Sequence, residues 1–592
     1  MSSRAHWHSP GSPGLTALTE LLLWSKADGA APRLFAKAGG AWRAITAGGV
    51  YDQARALAGQ LQAAPGERVA ILAESSPQWL IADFACLAQG AIDVPIYPTL
   101  TAEQVAFILN DSGAIGIFVS TVAQAEKVAS VRAQLPALRW IERFDDARWQ
   151  ALTAAASSEA EGSFDARQRA TPSAQCATLI YTSGTTGVPK GVPLTHGNLC
   201  ANLNISTLAF DFHDHERRLS ILPLSHITER HLAYADMLYG SATYFAESLD
   251  TVARDLGEVH PTTLVAVPRL FEKIAAGVRA QVAAKPRWQQ RLFAWAQRVG
   301  TALAPFQLSG AAAPFPLRCR AALARQLAWR KIHHRLGGAL TKIIAGGAPL
   351  GRELTEWLLS LGLVVDEGYG LSETSPVIAL NGPGARRPGS VGRPLSNLEV
   401  RFAPDGELEV RGPSVFTGYY QRPEDTAAVL RDGWFSTGDI GRQDRDGFLF
   451  ITDRKKDLIK TSGGKFVAPQ PIEAQLKTSA LIAEAVIVGD GRNFCSVLLV
   501  PNWPALAASG HSCDDSAGTR RAACNDAAIR TLFQAELDRV NAALARFETL
   551  KKFVLIPEPF TIASGELTPT IKVRRRAVEA NYREQIASLY AP

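Results

Sequence analysis

Short apolar runs alternate with helical patterns through the first half of the chain, and this rhythm restricts the possible folds more than any other feature. "GERVAILAES" reads as a strand and a turn, "SSPQWLIADFACLAQGA" as a helix, and "AIDVPIYPTL" as a second strand-like run. "LTAEQVAFILNDSGA" carries a capping box, Thr101 with Gln104, and then an apolar stripe that stops before Gly113. "AIGIFVS" is the next strand. Alternating strands and helices of this kind predict a doubly wound, mainly parallel sheet. Residues 156–175, "ASSEAEGSFDARQRATPSAQ", read as a polar linker, after which the rhythm resumes in "RRLSILPLSH", "TLVAVPRLFEKI" and "KIIAGGAPL". Farther on, "LEVRFAPDGELEVRG" alternates with period two around Asp405-Gly406, which predicts a hairpin in a more antiparallel subdomain.

A chain of 592 residues with 47% hydrophobic content can build several domain-sized cores. Its net charge of +6 is too small for a dedicated nucleic-acid binder. The seven cysteines include no C-x-x-C pair, which fits neither a zinc site nor a disulfide framework and suits a reducing cytosol. The opening "MSSRAHWHSPGSPG" lacks an apolar signal core, and no apolar run reaches the roughly 18 residues of a membrane-spanning helix. One segment stands out by charge. From Lys285 to Arg335 there are many Lys and Arg and no Asp or Glu, and Trp288, Leu292 and Trp295 fall on one helical face. Such a helix suits an anionic membrane surface. A packed insertion helix with a solvated basic face is the commoner outcome of such a pattern.

The chemistry-bearing motif is "YTSGTTGVPKGVPLTH", residues 181–196, which follows the apolar run Ala177-Thr178-Leu179-Ile180. Glycines let the backbone approach a bulky anion, successive N–H groups form an anion-binding concavity, and hydroxyls add donors. Lys190 places one charge at the far lip. The spacing is not that of a Walker loop, because Gly191 follows the lysine. The two readings are a loop that wraps a polyphosphate and an ordinary surface turn. In "DEGYGLSETSP" a tyrosine between Gly368 and Gly370 could stack on a base, and Glu373 could hold Mg²⁺ against a phosphate. In "GWFSTGDIGRQDRDGFLFITDRKKDLIKTSGGK" Asp439 could accept two ribose hydroxyls, with Arg454 in reach of the same sugar.

"YTSGTTGVPKG", "AGGAPL", "YGLSET", "STGD" and "DRKKD", in this order, closely resemble the adenylate-forming superfamily of acyl-CoA synthetases, luciferases and peptide-synthetase adenylation domains. The resemblance runs from about residue 15 to 585. "VPIYPTLTAEQ", "PLSHITERH", "VPRLFEKI", "APQPIE" and "RFETLKKFVLIPEPFTIASGELTPTIKVRR" are similar to the long-chain fatty acyl-CoA synthetase branch. The resemblance implies an α/β fold: a large N-terminal domain of doubly wound sheets with a β-barrel-like subdomain, residues 1–455, and a small mobile α+β C-terminal domain, residues 456–592. It also assigns roles. Thr182, Ser183, Gly184, Thr185, Thr186, Gly187 and Lys190 would close over the ATP phosphates. Gly346, Gly347 and Ala348 would line the adenine pocket, with Tyr369 stacked on the base beside Gly370. Ser372 stands where the family more often has Thr and would contact the α-phosphate. Glu373 would bind Mg²⁺, and Asp439 and Arg454 would hold the ribose. His226 would sit beside the acyl carboxylate, Lys456 would be the hinge, Gly463 and Gly464 would leave room for the pantetheine arm of coenzyme A, and Lys572 would be the catalytic lysine.

The implied reaction is ATP-dependent activation of a fatty acid to acyl-AMP, followed by transfer to coenzyme A. The alternatives are an acyl-AMP ligase that loads a carrier protein, a ligase for another hydrophobic carboxylic acid, and a non-catalytic nucleotide- or lipid-binding descendant. The expected location is the cytoplasm, with segment 285–335 as the candidate contact at the inner face of a membrane.

Overall fold

The computed structural model describes residues 14–155, 157, 159–182, 188–214, 216–248, 250–511, 516–568 and 572–590. Two large sheets carry the first part of the chain. The first has six strands in the order Trp140–Arg143, Gly116–Val119, Arg68–Leu72, Ile92–Ile96, Cys176–Thr182 and Lys190–Thr195, parallel except for the last. The second has nine strands, parallel through its centre from Asp366–Gly370 across Lys342–Gly346, Thr263–Ala266, Arg217–Ser220 and Ala242–Phe245 to Pro32–Ala38. Helices cover the sheets, so the central strands are apolar on both faces: Arg68–Leu72 buries every residue after its first.

Local signals account for the helix ends. The capping box at Thr101 forms in both directions, and the helix Ala102–Ser112 stops at Gly113, whose φ of 63° is left-handed. Ser76 caps Pro77–Gln89 by accepting the Trp79 N–H, with proline in the first turn where its missing donor is not needed.

The expected hairpin at Asp405-Gly406 pairs Glu399–Phe402 with Glu407–Arg411. It belongs to a five-stranded antiparallel sheet that also contains Trp434–Gln443 and Leu449–Arg454. Beyond Arg454 the chain makes a small hairpin, Ile459–Lys460 with Phe466–Val467. A three-stranded sheet of Ile482–Val488, Cys495–Pro501 and Leu550–Leu555 follows, with its own apolar core around Phe533 and Leu499.

Two sequence expectations change. The polar segment 156–175 contains a helix, Glu161–Arg169. Its one large apolar residue, Phe164, is buried, and its Asp165 accepts the Tyr51 hydroxyl at 2.6 Å and pairs with Lys26. Tertiary contacts rather than an apolar stripe hold this turn of chain. The second change concerns segment 285–335, which folds into the helices Arg287–Ser309, Phe315–Ala324 and Arg330–Arg335. The proposed face is split, because Trp295 packs against the core that contains Trp329 while Trp288 stands 63% exposed. No helix among the described residues is long and apolar enough to cross a membrane.

Candidate active site

The site lies where the parallel strands of the nine-stranded sheet end beside the antiparallel sheet, and each motif reaches it from a different element. Strand Lys342–Gly346 delivers Gly346, Gly347 and Ala348 at its C-terminal end, and Gly346 is paired with Gly368 on the neighbouring strand. Ends of parallel strands are where open α/β sheets bind ligands. Gly347 takes φ +83°, a conformation that a side chain would strain. A Cβ built there would also lie 3.8 Å from Cε of Lys572. The small C-terminal unit therefore brings its lysine against the glycine turn of the large one.

Tyr369 and Gly370 follow on Asp366–Gly370. The Tyr369 hydroxyl donates to Asp439 Oδ2 at 2.6 Å, which fixes the ring. Asp439 Oδ1 pairs with Arg454 Nε at 2.9 Å, and the two residues face each other in register on adjacent strands. The sequence separates this pair, and sheet register joins it. Gly370 has no room for a side chain, since a Cβ would sit 1.8 Å from the Pro376 carbonyl oxygen. Ser372 and Glu373 occupy the short 3₁₀ turn Ser372–Thr374 that follows. Glu373 is buried and accepts the Tyr419 hydroxyl at 3.0 Å. Burial raises its pKa, with the Tyr419 bond and the Arg454 charge opposing. A divalent cation would return such a carboxyl to its anionic form, and one carboxylate plus substrate phosphates is an ordinary magnesium set. The residues therefore fit the ion that the resemblance implies.

Lys572 is tied to Thr568, its N–H donating to Thr568 Oγ1 at 3.0 Å and its carbonyl accepting the Thr568 N–H. Burial first, and the Arg454 charge second, lower its pKa to about 8 against the opposing Asp439. His226 caps the helix Ile227–Tyr239, with Nδ1 accepting the Thr228 N–H at 3.2 Å. Burial first, and the Lys572 charge second, push its pKa down to about 3. The ring is thus neutral, and its proton is on Nε2.

Some expected residues lie elsewhere. Ser183, Gly184, Thr185, Thr186 and Gly187 fall outside the described residues. Thr182 and Lys190 pair across the two strands that flank them. The Lys190 ammonium bonds Asp425 and lies 5.2 Å from the Tyr419 ring centroid. Lys456 is exposed in the turn after Leu449–Arg454. Gly463 and Gly464 form the exposed tip of the 459–467 hairpin, with nothing within 4 Å of a built Cβ, and take no part in this grouping.

The sequence reading missed Tyr419 and Asp425, whose signal is the run "GYYQRPED" of paired aromatics before acids. It also missed the network behind His226. Arg230 Nη2 bonds Asp93 at 2.7 Å, and Arg230 also pairs with Asp83 and accepts no exposure of its own: all three are buried. Arg218 Nε meets Asp236 at 2.6 Å on the same helix. Glu229, Arg230 and Asp236, three charges on one helix that also carries a run of apolar residues, were the available signal.

Comparison with known proteins places this geometry. A family model described as AMP-binding enzyme matches residues 24–420, and the AMP-binding enzyme C-terminal domain matches 456–592. A protein named long-chain-fatty-acid–CoA ligase FadD15 from Mycobacterium bovis is 38% identical over 564 residues, covering 93% of each chain. The peroxisomal long chain acyl-CoA synthetase 7 of Arabidopsis thaliana is 33% identical, covering 89% of this chain and 78% of the relative. Among solved structures, the A domain of a carboxylic acid reductase from Segniliparus rugosus, in complex with AMP and a co-purified carboxylic acid, superposes with TM-score 0.74 at 23% identity, covering 97% of this chain and 94% of that one. The chain therefore belongs to the AMP-binding enzyme family, on its long-chain fatty acyl-CoA synthetase branch.

Proposed function

We propose that the protein activates a long-chain fatty acid with ATP to acyl-AMP and pyrophosphate, then transfers the acyl group to coenzyme A, releasing AMP. The observation that carries this reading is the convergence of Lys572, Asp439, Arg454, Tyr369 and Glu373 around the Gly346-Gly347 turn. The relatives named as fatty-acid ligases support the acyl substrate. In this reading residues 1–455 and 456–592 are two units that turn about Lys456.

The nucleophile is a carboxylate and already anionic, so the site needs no strong base. It must instead place the acid in line with the α-phosphorus and offset the crowded negative charge there. Asp439 and Arg454 hold the ribose, and Tyr369, pinned by Asp439, forms one wall of the base pocket. The Lys572 ammonium faces the same turn and stabilises charge at the α-phosphate. Magnesium, held at Glu373, would supply the remaining neutralisation of the phosphates. His226 is neutral and presents an Nε2–H donor toward the acyl carboxyl without adding charge. The second step needs Lys572 to leave and the Gly463-Gly464 tip to take its place.

A second surface supports membrane contact. Phe315, Leu323 and Leu327 are 74%, 47% and 54% exposed. With Cys319 they recur every fourth residue, flanked by exposed Arg318, Arg320 and Arg325. This face would rest on an anionic cytoplasmic leaflet, where fatty acids partition.

The test of the main reading is AMP release over a panel of short to very long fatty acids and aryl acids, with coenzyme A or acyl carrier protein as acceptor. Release with long-chain acids and free coenzyme A is expected. Discharge by carrier protein alone would replace the acceptor, and activity only with aryl acids would replace the substrate.

A further inference from the structure

The helix Pro469–Leu476 of the small C-terminal unit is gripped at both ends by the large domain. At its start, Asp453 Oδ2 accepts the Gln470 N–H at 3.0 Å, and Asp453 is 1% exposed. Just past its end, Arg279 Nη1 donates to the Thr478 carbonyl at 2.8 Å. The Asp453 carboxyl satisfies an open N–H at the first turn, though burial raises its pKa to about 7, and a guanidinium at the C-terminus complements the helix dipole. Between the grips the contact is ionic. Lys477 lies 3.6 Å from Glu272 and 3.7 Å from Glu484, and Arg269 lies 3.3 Å from Glu484 and donates to the Ala483 carbonyl at 2.6 Å.

The partners come from one helix of the large domain, Pro268–Ala283. Arg269, Glu272 and Arg279 fall at i, i+3 and i+10, a single face, while Phe271 and Ala275 turn the other face into the core. Lys477, Glu272 and Glu484 keep 23%, 17% and 13% of their side-chain surface exposed, so the pairs are shielded more than surface ion pairs are. In this same orientation Lys572 reaches the Gly347 turn.

We infer that Arg269, Glu272 and Arg279, with Asp453, form a clamp on the helix Pro469–Leu476 that holds the small domain, and with it Lys572, in the adenylate-forming orientation. These are positioning residues: none reaches the glycine turn, and each acts through the helix it grips. The proposal rests on the reading of Lys572 given above. The clamp is reversible, because its members are polar groups that water can satisfy once the domain turns away. Loosening it lowers the population poised for the first step and leaves the second orientation accessible.

The experiment separates the half-reactions in the full-length protein. Fatty-acid-dependent pyrophosphate exchange reports the first, and thioester formation from supplied acyl-AMP and coenzyme A reports the second. Arg279→Ala, and separately Arg269→Ala with Glu272→Ala, should lower exchange about tenfold and keep thioester formation within about twofold. Thermal unfolding midpoints identify any variant that fails to fold. For such a case Arg279→Lys provides the second arm: it keeps a cationic donor toward the Thr478 carbonyl and should retain exchange that Arg279→Ala loses. Equal loss of both half-reactions, or no change in either, overturns the clamp. In the same assay Lys572→Ala should lose exchange. If it does and the clamp variants are neutral, only the clamp fails. If it keeps exchange, the reading of Lys572 fails and the clamp falls with it.

Discussion

At Lys572, burial pushes the ammonium down to about 8, with Arg454 adding repulsion and Asp439 partly opposing it. On the proposed reading, in which the first step needs this charge, it is lost as pH rises through about 8 in the free enzyme. The expected result is a descending limb near that pH in kcat/KM for ATP, which reports the free enzyme. Lys572→Arg keeps its charge throughout this range and should move the limb upward; an unmoved limb would assign it to another group. Removing the charge, as in Lys572→Ala, should slow adenylation by about 10²- to 10³-fold, the scale of deleting one donor to a developing anion. His226, held near 3 by burial, should contribute no inflection around pH 6.5. Glu367 responds in the opposite sense. Burial raises its pKa to about 7 from 4.5, so the folded state holds this proton more tightly than the unfolded chain. Its effect is absent below the unfolded value and becomes destabilising as pH rises from about 4.5 to about 7. Glu367→Gln should therefore flatten the fall of the thermal midpoint between about pH 4.5 and 7, read by calorimetry.

Elements were legible where the signal was local. Strand Arg68–Leu72, helix Pro77–Gln89 and the Thr101 capping box follow from period, proline and cap residues that lie together in the chain. The helix Glu161–Arg169 was not, because its stability comes from Tyr51 and Lys26, more than a hundred positions away in sequence. The site divides along the same line. Motif residues could be named, but the Asp439–Arg454 register, the Tyr419–Glu373 bond and the Lys190–Asp425 pair are products of sheet pairing and loop packing. Two element-scale outcomes follow. Gly370→Ala must push the Pro376 carbonyl away from a 1.8 Å contact, so it should cost about 1–3 kcal/mol, seen as a lower denaturation midpoint, and should displace the Ser372–Thr374 turn. Tyr419→Phe removes the bond to Glu373 while keeping the ring under Lys190, and should raise the magnesium concentration for half-maximal adenylation about tenfold or more. An unchanged magnesium dependence would separate Tyr419 from the metal.

Across the whole molecule, charge is distributed by task. Acidic and basic groups pair at the domain contact and behind His226, whereas no Asp or Glu stands between Glu272 and Glu353. A run that long without acids cannot neutralise itself locally, and Arg318, Arg320 and Arg325 face solvent beside Phe315, Leu323 and Leu327. Leu317, Ala321 and Ala324 of the helix Phe315–Ala324, and Trp329 just beyond it, pack in or against the core, so the stripe is a rigid surface rather than a flexible arm. Rigid display matters because each side chain ordered at an interface otherwise costs entropy. On an anionic leaflet each arginine near the surface contributes about 1 kcal/mol at physiological salt. Replacing Arg318, Arg320 and Arg325 with Gln should therefore weaken binding to vesicles rich in phosphatidylglycerol roughly hundredfold and leave binding to neutral phosphatidylcholine unchanged. Phe315→Ser with Leu323→Ser should weaken both, because insertion of apolar surface does not depend on head-group charge. The measurement is co-sedimentation at two salt concentrations, alongside AMP release from dissolved fatty acid, which neither set should alter. If both sets co-sediment like the unmodified protein, the basic face is a solvated one and the fatty acid reaches the site from solution.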